Sequence, residues 1–241
     1  MPARRVLILA GTSEARDLAA QLHEKGVHAI TSLAGVTQSP LLPPGEIRRG
    51  GFGGTEGLVD YLRHNGITHL IDATHPFASN MSAHGHDAAR LLSIPLLRLE
   101  RPAWPLRDRW LMVGSIDEAA QVLPSQARAL ITTGHRGLLS FLARKDISGV
   151  IRTIEPAATP MPPHWQLLLQ RPPYTVDSEV ALMQANHTSH LVTKNSGGSA
   201  TAAKLDAAEL LGVTVVMIGR PFKPPCTVVS DVSAAVDWLG G

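Results

Sequence analysis

The sequence predicts an α/β protein with two domains, each built on a mostly parallel sheet flanked by helices. Short apolar runs alternate with segments in which apolar residues recur at helical spacing, which is typical of strand, crossover helix and parallel strand. The length of 241 residues suits two small domains. The alternation is interrupted at residues 100–109, where prolines and charges favour neither helix nor strand. We therefore predict an N-terminal domain over 1–100 and a C-terminal domain over 101–241.

The first half begins with a continuous apolar run, which is typical of a parallel strand covered on both faces. The segment after it has apolar residues at helical spacing and stops at Gly26, a glycine in the position that commonly follows a helix. The same reasoning predicts strands over 6–10, 27–33, 69–73 and 95–99, and helices over 14–25, 55–64 and 78–92.

The second half resumes the alternation beyond the interruption. Its apolar runs and helical spacings predict strands over 129–132, 149–153, 190–193 and 213–218, and helices over 116–123, 138–144, 176–185 and 199–211. Residues 156–173 are rich in proline and receive no assignment.

Composition and charge exclude several classes of protein. A formal net charge of +2 and an aromatic content of 4% argue against nucleic-acid binding, which needs a basic face or rings for base stacking. No apolar run approaches the roughly eighteen residues needed to cross a bilayer, so we expect a soluble, cytoplasmic protein that binds no membrane. The single cysteine, Cys226, cannot form an internal disulfide or a thiolate cluster, and no residues have the spacing of metal ligands.

Four loops that leave predicted strands contain the candidate functional residues, because open parallel sheets bind ligands outside the carboxyl ends of their strands. In the first loop Gly11 permits a tight turn, Thr12 or Ser13 can cap the next helix, and the N–H groups at the helix start favour a phosphate. A well-capped helix without a ligand fits equally well, since the G-x-G-x-x-G pattern is absent. The next strand ends at residues 32–35 without the acidic residue that often binds the ribose of NAD, which leaves room for a 2′-phosphate.

The second and third loops have the composition of ligand sites, although each has a simpler explanation. Residues 48–54 are an arginine pair and four glycines in five residues, so a ligand can approach the backbone closely, or the segment is a flexible connection. Asp72, Thr74 and His75 provide a carboxylate, a hydroxyl and an imidazole that could position a cofactor or pass a proton. Helix capping alone also explains each of these three residues.

The fourth loop, residues 194–198, combines a lysine, an amide, a hydroxyl and two glycines ahead of a predicted helix, which favours an anion site or a solvated loop charge. Residues 133–136 occupy the equivalent place after an earlier strand. Together with Arg101, Trp104, Arg109 and Arg220, these loops predict a cationic cleft between the halves that suits a ligand with several carboxylates. Nucleophilic catalysis is not indicated, because no G-x-S-x-G motif is present.

Taken together, the loops resemble one family, the precorrin-6A reductases of cobalamin biosynthesis. The resemblance rests on motifs that occur in order from the first strand to residue 221: VLILAGTSEAR, SLAG, RRGGFGG, DATHPFA, RPAW, ITTGHR, KNSGG, AAKLDAAELLG and VVMIGRP. It implies two Rossmann-like halves and an NADPH-dependent reductase, with NADH as the alternative cofactor. The implied reaction is hydride transfer to a carbon–carbon double bond of the precorrin-6A macrocycle, giving precorrin-6B.

The resemblance and the loops together assign roles to individual residues. The expected cofactor site contains Gly11, Thr12, Ser13, Glu14, Ala15, Arg16, Ser32, Leu33, Ala34, Gly35, Gly53 and Thr74. The expected tetrapyrrole site contains Arg101, Trp104, Thr133, Gly134, Arg136, Lys194, Asn195, Ser196, Gly197, Gly198 and Arg220. Asp72 and His75, or water held by them, are our hypothesis for proton delivery. Where the family often has an arginine after SLAG, this chain has Val36, so Arg16 or Arg48 would contact the 2′-phosphate.

Three other functions remain open at this stage. The first is the cobalt-precorrin-6A reductase of the anaerobic pathway, using NADH. The second is a non-enzymatic nucleotide-binding module whose second half contacts a partner protein. The third is a methyltransferase that binds S-adenosylmethionine at the first glycine turn.

Overall fold

The computed structural model describes residues 4–33, 42–135 and 137–240, and it divides the chain into two units. The first unit contains the residues up to Pro102 and those from Pro221 onward, and the second contains Ala103–Arg220. Each unit has a six-stranded sheet, and every described strand pair is parallel. The predicted fold class is therefore confirmed.

The first unit begins with strands and helices in alternation. In chain order its elements are β1 (Arg5–Ala10), α1 (Ser13–Glu24), β2 (His28–Leu33), β3 (Glu46–Arg49), α2 (Thr55–His64), β4 (His69–Ala73), α3 (Ser79–Leu92) and β5 (Leu96–Leu99).

The second unit repeats this alternation. Its elements are β6 (Trp110–Val113), α4 (Ile116–Val122), β7 (Arg128–Ile131), α5 (Leu138–Leu142), β8 (Ser148–Thr153), β9 (Trp165–Leu169), α6 (Val176–Ala185), β10 (His190–Lys194), α7 (Ala203–Leu211) and β11 (Thr214–Ile218). The chain then forms β12 (Thr227–Val229) and α8 (Val232–Gly240).

The last twenty described residues belong to the first unit, which corrects the predicted C-terminal domain over 101–241. β12 adds to the edge of the first sheet by pairing with β5. Just before β12, the Lys223 ammonium donates to the Glu100 carboxylate at 2.7 Å, with both side chains largely buried. The second unit therefore ends at Arg220, because strand pairing and this ion pair hold the following segment in the first unit.

Both sheets have the Rossmann-like strand order. The first sheet reads β12-β5-β4-β1-β2-β3, and the second reads β6-β11-β10-β7-β8-β9. The direction of winding reverses between β1 and β4 in the first sheet and between β7 and β10 in the second. In the first sheet the outermost strand beside β5 is β12, which follows the second unit in the chain. In the second sheet the outermost strand beside β11 is β6, the first strand of that unit in the chain. Loops on either side of such a reversal form the crevice in which open α/β sheets bind ligands.

The four strands that the sequence analysis missed, β3, β6, β9 and β12, are the edge strands of the two sheets. An edge strand is partly solvated and short, so its sequence gives a weaker strand signal than a central strand does. The run WLMV of β6 is apolar but has only four residues, and it directly follows the charged segment at residues 100–109. In β6, for example, Leu111 and Met112 are 47% and 44% exposed. α8 was also missed, whereas the predicted bounds of α2, β4 and α6 agree with the structure.

Buried apolar layers cover both faces of β1 in the first sheet. Val6 and Ile8 lie in one buried cluster with residues of α1 and α8, and Leu7 and Leu9 lie in another with residues of α2 and α3. Alternate side chains of a strand point to opposite faces, so this strand is covered on both. In the part of the chain that the structure describes, no helix is long and apolar enough to span a membrane.

Candidate active site

The crevice of the first sheet is built where β1 and β4 end side by side. Thr12 caps α1, because its Oγ1 accepts a hydrogen bond from the Ala15 N–H at 3.1 Å. The same hydroxyl donates to the Ala73 carbonyl at 3.0 Å and thereby ties the start of α1 to the end of β4. A side chain at Gly11 would place its Cβ 3.1 Å from the His75 backbone nitrogen. The two loops therefore pack so closely at Gly11 that a larger residue fits only if the backbone at His75 shifts by a few tenths of an ångström.

The first turn of α1 combines helix-terminal N–H groups with a compensated negative charge. Glu14 lies in this turn, and Arg101 Nη1 donates to its two carboxylate oxygens at 3.0 and 3.3 Å. Burial raises the pKa of Glu14, but a backbone hydrogen bond and Arg101 lower it, and the resulting pKa lies below the ordinary value. Glu14 is therefore ionised and its charge is balanced. Arg101, expected at the tetrapyrrole, is placed at the helix start expected for the cofactor.

The remaining residues of the expected cofactor loop differ in exposure. Ser13 is exposed, and its Oγ donates to the Glu14 carboxylate at 3.1 Å. Ala15 lies on the buried face of α1, and Arg16 is half-buried. The first-turn N–H groups and the positive end of the α1 dipole favour an anion at this point.

The ends of β2 and β3 place an arginine beside the serine that stands where many NAD sites have an acid. Arg48 Nη1 is 3.5 Å from the Ser32 hydroxyl, and Nη2 donates to the Gly51 carbonyl at 2.7 Å. The guanidinium lies over the Phe52 ring, 3.7 Å from its centroid. At the end of β2, the Leu33 carbonyl accepts from the backbone of the glycine loop at 2.9 Å. The expected residues Ala34 and Gly35, and also Val36, lie outside the described residues.

Two glycines before α2 adopt a backbone conformation that other residues avoid. Gly53 has a φ of 80° and Gly54 a φ of 100°. The glycine-rich segment therefore has a defined turn that leads into α2, and Gly53 lies on the same edge of the sheet as Arg48.

Both carboxylate oxygens of Asp72 accept hydrogen bonds from neighbouring side chains. It is 1% exposed, its Oδ1 accepts from the Thr74 hydroxyl at 2.7 Å, and its Oδ2 accepts from Arg98 Nε at 3.1 Å. Burial raises the pKa of Asp72, but hydrogen bonds from Ser82 and Thr74 and the nearby cations outweigh it and hold that pKa below its ordinary value. An ionised carboxylate in this position is not a proton donor at neutral pH. Its geometry instead orients Thr74 and the loop that contains His75.

The His75 ring accepts a hydrogen bond at Nδ1 and can donate one from Nε2. Its Nδ1 accepts from the Phe77 backbone N–H at 3.2 Å, which in the neutral imidazole leaves the proton on Nε2. The ring is half-buried and lies on the loop that packs against Gly11. The structure thus brings His75 and the capped start of α1 to the same crevice.

Sequence reasoning missed Arg98, which the parallel register places opposite Asp72. Arg98 is 6% exposed and also donates to the Pro224 carbonyl at 3.0 Å. The signal was available, since a cation within a predicted buried strand needs a buried partner.

The second crevice lies where β7 and β10 end side by side. Lys194 Nζ donates to the Thr133 carbonyl at 2.7 Å, which joins the two loops. Gly134, with a φ of 80°, turns the chain directly after Thr133. Arg136, expected at the tetrapyrrole, lies outside the described residues.

Three residues expected to contact the tetrapyrrole brace the loop at 194–198. The Asn195 side chain accepts from the Trp104 backbone N–H at 2.8 Å and donates to the Trp104 carbonyl at 3.2 Å. The Trp104 indole donates to the Gly198 carbonyl at 3.0 Å. Arg220 donates to the carbonyls of Asn195, at 2.9 Å, and Ser196, at 3.3 Å. These contacts fix the path of the loop and the conformations of Gly197 and Gly198, whose φ values are 68° and 83°.

A protein-family model described as precorrin-6x reductase CbiJ/CobK matches residues 5–240. The chain belongs to this family. The precorrin-6A reductase of Rhodococcus erythropolis is 46% identical over 241 residues, covering 98% of this chain and 97% of its own length. A solved structure of CobK precorrin-6A reductase matches with a TM-score of 0.92 at 37% identity, covering 98% of this chain and 96% of its own.

More distant relatives include reductases named for precorrin-6A and for cobalt-precorrin-6A. The precorrin-6A reductase of Rhodobacter capsulatus is 38% identical, covering 98% of this chain and 95% of its own. The cobalt-precorrin-6A reductase of Priestia megaterium is 30% identical, covering 97% of each chain. Family membership confirms the predicted enzyme class, a reductase that uses a nicotinamide cofactor. It favours that class over the nucleotide-binding module and the methyltransferase.

Proposed function

We propose that this protein is a precorrin-6A reductase of cobalamin biosynthesis, which transfers a hydride from NADPH to a carbon–carbon double bond of precorrin-6A and gives precorrin-6B. The observation that carries the proposal is the 46% identity to the Rhodococcus erythropolis reductase over 98% of this chain. The crevice between β1 and β4 supports it, since it combines a glycine turn, a capped helix start and a half-buried histidine.

The residues of the first crevice fit a dinucleotide. The start of α1 suits the pyrophosphate, because its N–H groups point out of the helix and Arg101 balances the Glu14 charge. Ser32 in place of an acid avoids repelling a 2′-phosphate, and the guanidinium of Arg48 lies beside it. These two features favour NADPH over NADH, with Arg48 as the phosphate contact.

The reduction adds a hydride to one carbon of the double bond and a proton to the other. Bound NADPH supplies the hydride, which carries both electrons. We assign the proton to a water that accepts from the Nε2–H of His75, because Nδ1 accepts from the Phe77 N–H and loss of the remaining proton from the neutral ring would leave an imidazolate. The hydroxide left by that water takes a proton from solvent. Asp72 contributes indirectly, since it holds Thr74 and the loop in place.

Turnover under anaerobic conditions tests the proposal. The protein is mixed with precorrin-6A and NADPH, and the absorbance of pigment and nicotinamide is followed together. Equal consumption of both supports the proposal, and NADPH binding without oxidation contradicts it. Parallel reactions with NADH and with cobalt-precorrin-6A test the alternative of a cobalt-precorrin-6A reductase, which is the name of the relative at 30% identity. Faster turnover of the cobalt substrate would reassign the chain.

A further inference from the structure

A small cavity lies at the amino edge of the second sheet, where its strands begin. Its volume is about 220 Å³, and the first residues of three neighbouring strands line it: Arg128 of β7, Ser148 of β8 and Trp165 of β9. These strands are parallel, so they all begin at this edge and end at the other. The cavity is therefore separate from the crevice between β7 and β10, which opens at the carboxyl edge.

Two ring nitrogens at this cavity are buried without a hydrogen-bond partner. Trp165 is 5% exposed, and its Nε1 has no partner among the described residues. The same holds for Nε2 of the neighbouring His164, which also lines the cavity, and the two ring centroids are 6.3 Å apart. A buried polar group without a partner costs about 1–3 kcal/mol, so native proteins rarely keep one. Two such groups side by side point to a ligand that brings the missing partner atoms.

The sheet holds the backbone that carries both rings. The Trp165 N–H donates to the Pro162 carbonyl at 2.9 Å, and the His164 carbonyl accepts from the Gly149 N–H at 3.2 Å. The second of these bonds ties the residue before β9 to the start of β8. A site whose backbone is already ordered loses less conformational entropy when a ligand binds.

The groups around the cavity favour an anion. An indole N–H and a guanidinium can only donate hydrogen bonds. The Arg128 guanidinium has no ion-pair partner in the part of the chain that the structure describes, and no described aspartate or glutamate lines the cavity. A cation would meet a positive charge without a carboxylate to offset it. An apolar molecule would leave the ring nitrogens without partners.

The end of α6 also borders the cavity, through Asn186, and its carbonyl groups are engaged in hydrogen bonds. Carbonyls at the end of a helix carry negative charge that disfavours an anion. The Leu182 carbonyl accepts from the Asn186 side-chain amide at 2.8 Å. The Met183 carbonyl accepts from the Thr188 N–H at 2.9 Å. These bonds reduce the negative charge that the helix end presents to the cavity.

We propose that this cavity is a separate ligand site, which binds a small oxyanion of the phosphate or carboxylate type through Trp165, His164 and Arg128. The oxygen atoms accept from the ring N–H groups, and the guanidinium supplies the opposite charge and two parallel donors. Sites for larger ligands have about 300–1,000 Å³, so this volume restricts the ligand to a small molecule. The inference goes beyond the proposed function and does not rest on it.

The indole N–H signals in NMR spectra of the full chain report on the cavity directly. The chain has four tryptophans, and the Trp165 signal is assigned through the backbone and checked by its loss in Trp165→Phe. Titration with inorganic phosphate, and separately with succinate, should shift this signal until it saturates with at least one of the two. Sodium chloride at the same ionic strength should leave it in place. The anion with the lower dissociation constant identifies the type of oxyanion.

Arg128→Met removes the charge from an exposed side chain, so the fold should remain intact. We expect the dissociation constant of the better-bound anion to rise about fivefold. Lys145→Met is the matched control, because it removes an exposed cation from the loop before β8 that does not line the cavity. Its dissociation constant should stay within about twofold of the wild-type value.

Three results would overturn the proposal: a Trp165 signal that saturates with neither anion, an equal shift with chloride, or an unchanged dissociation constant in Arg128→Met. Neither nicotinamide nor pigment is present in this experiment. Its outcome is therefore independent of whether the protein reduces precorrin-6A.

Discussion

The proposed contact between Arg48 and the 2′-phosphate of NADPH predicts a specific loss of NADPH use in Arg48→Met. The guanidinium has five N–H groups, of which three donate to Ser32, Gly50 and Gly51. Its Nε–H and the second Nη2–H have no partner among the described residues, which matches the two donors of a bidentate phosphate contact. A charged hydrogen bond is worth about 1.5–3 kcal/mol, or about 10- to 100-fold in affinity. Because Arg48 is half-exposed, screening favours the lower end.

Steady-state kinetics with both cofactors isolates this contact. In Arg48→Met we expect kcat/KM for NADPH to fall about tenfold and that for NADH to stay within twofold. Arg49→Met is the matched control, since its exposed side chain points to the other face of β3 and should leave both values unchanged. An equal fall for NADPH and NADH would mean that Arg48 only braces the glycine loop. No fall for NADPH would refute the phosphate contact.

Three further predictions follow from the first crevice. Asp72→Asn should destabilise the fold by about 3–5 kcal/mol, because it leaves the Arg98 charge buried without its partner. Since the folded-state pKa of Asp72 is lowered, its contribution to stability is present at neutral pH and is lost below about pH 4. The free energy of unfolding of the wild type should therefore fall with pH in this range, and that of Asp72→Asn should lack this part of the fall. His75→Ala should slow single-turnover NADPH oxidation about 100-fold or more, and an unchanged rate removes it from proton delivery. Arg101→Met should raise KM for NADPH several-fold and leave KM for precorrin-6A unchanged, because it exposes the Glu14 charge to the cofactor. Adding Glu14→Gln to Arg101→Met should bring KM for NADPH most of the way back. A double variant with the same KM as Arg101→Met would contradict the charge-balance argument.

The elements that could be predicted from sequence are those whose signals are local. Central strands such as β1 are continuous apolar runs, and the Thr12 cap depends on Ala15, three residues away. The close approach of Gly11 to His75 is not local and could not be predicted. The edge strands could not be predicted, because their partners decide their conformation. β12 is three residues long and is a strand only because β5 lies beside it.

In the candidate site too, local signals could be predicted and contacts between distant residues could not. The loops were found because each follows a recognisable strand, yet the partners of their side chains were not. Trp104 and Asn195 are 91 residues apart in sequence and bind each other. No local pattern distinguishes a tryptophan that braces a loop from one that stacks on a ligand. Assigning Arg101 to the cofactor end required the position of Glu14 in space.

Ion pairs within the fold reduce the positive charge that the proposed anionic ligands would meet on a chain whose net charge is only +2. Most of the notable cations are neutralised by carboxylates in the structure: Arg98 by Asp72, Arg101 by Glu14, Arg107 by Asp206 and Glu209, Arg152 by Glu179, and Lys223 by Glu100. A count of basic residues in the loops therefore overstates the charge that a ligand meets. On the proposed function, affinity for a phosphate depends instead on a few donors in fixed positions, such as Arg48. Substitution of a single donor such as Arg48 should consequently alter selectivity, and added salt should weaken the same contact because Arg48 is half-exposed.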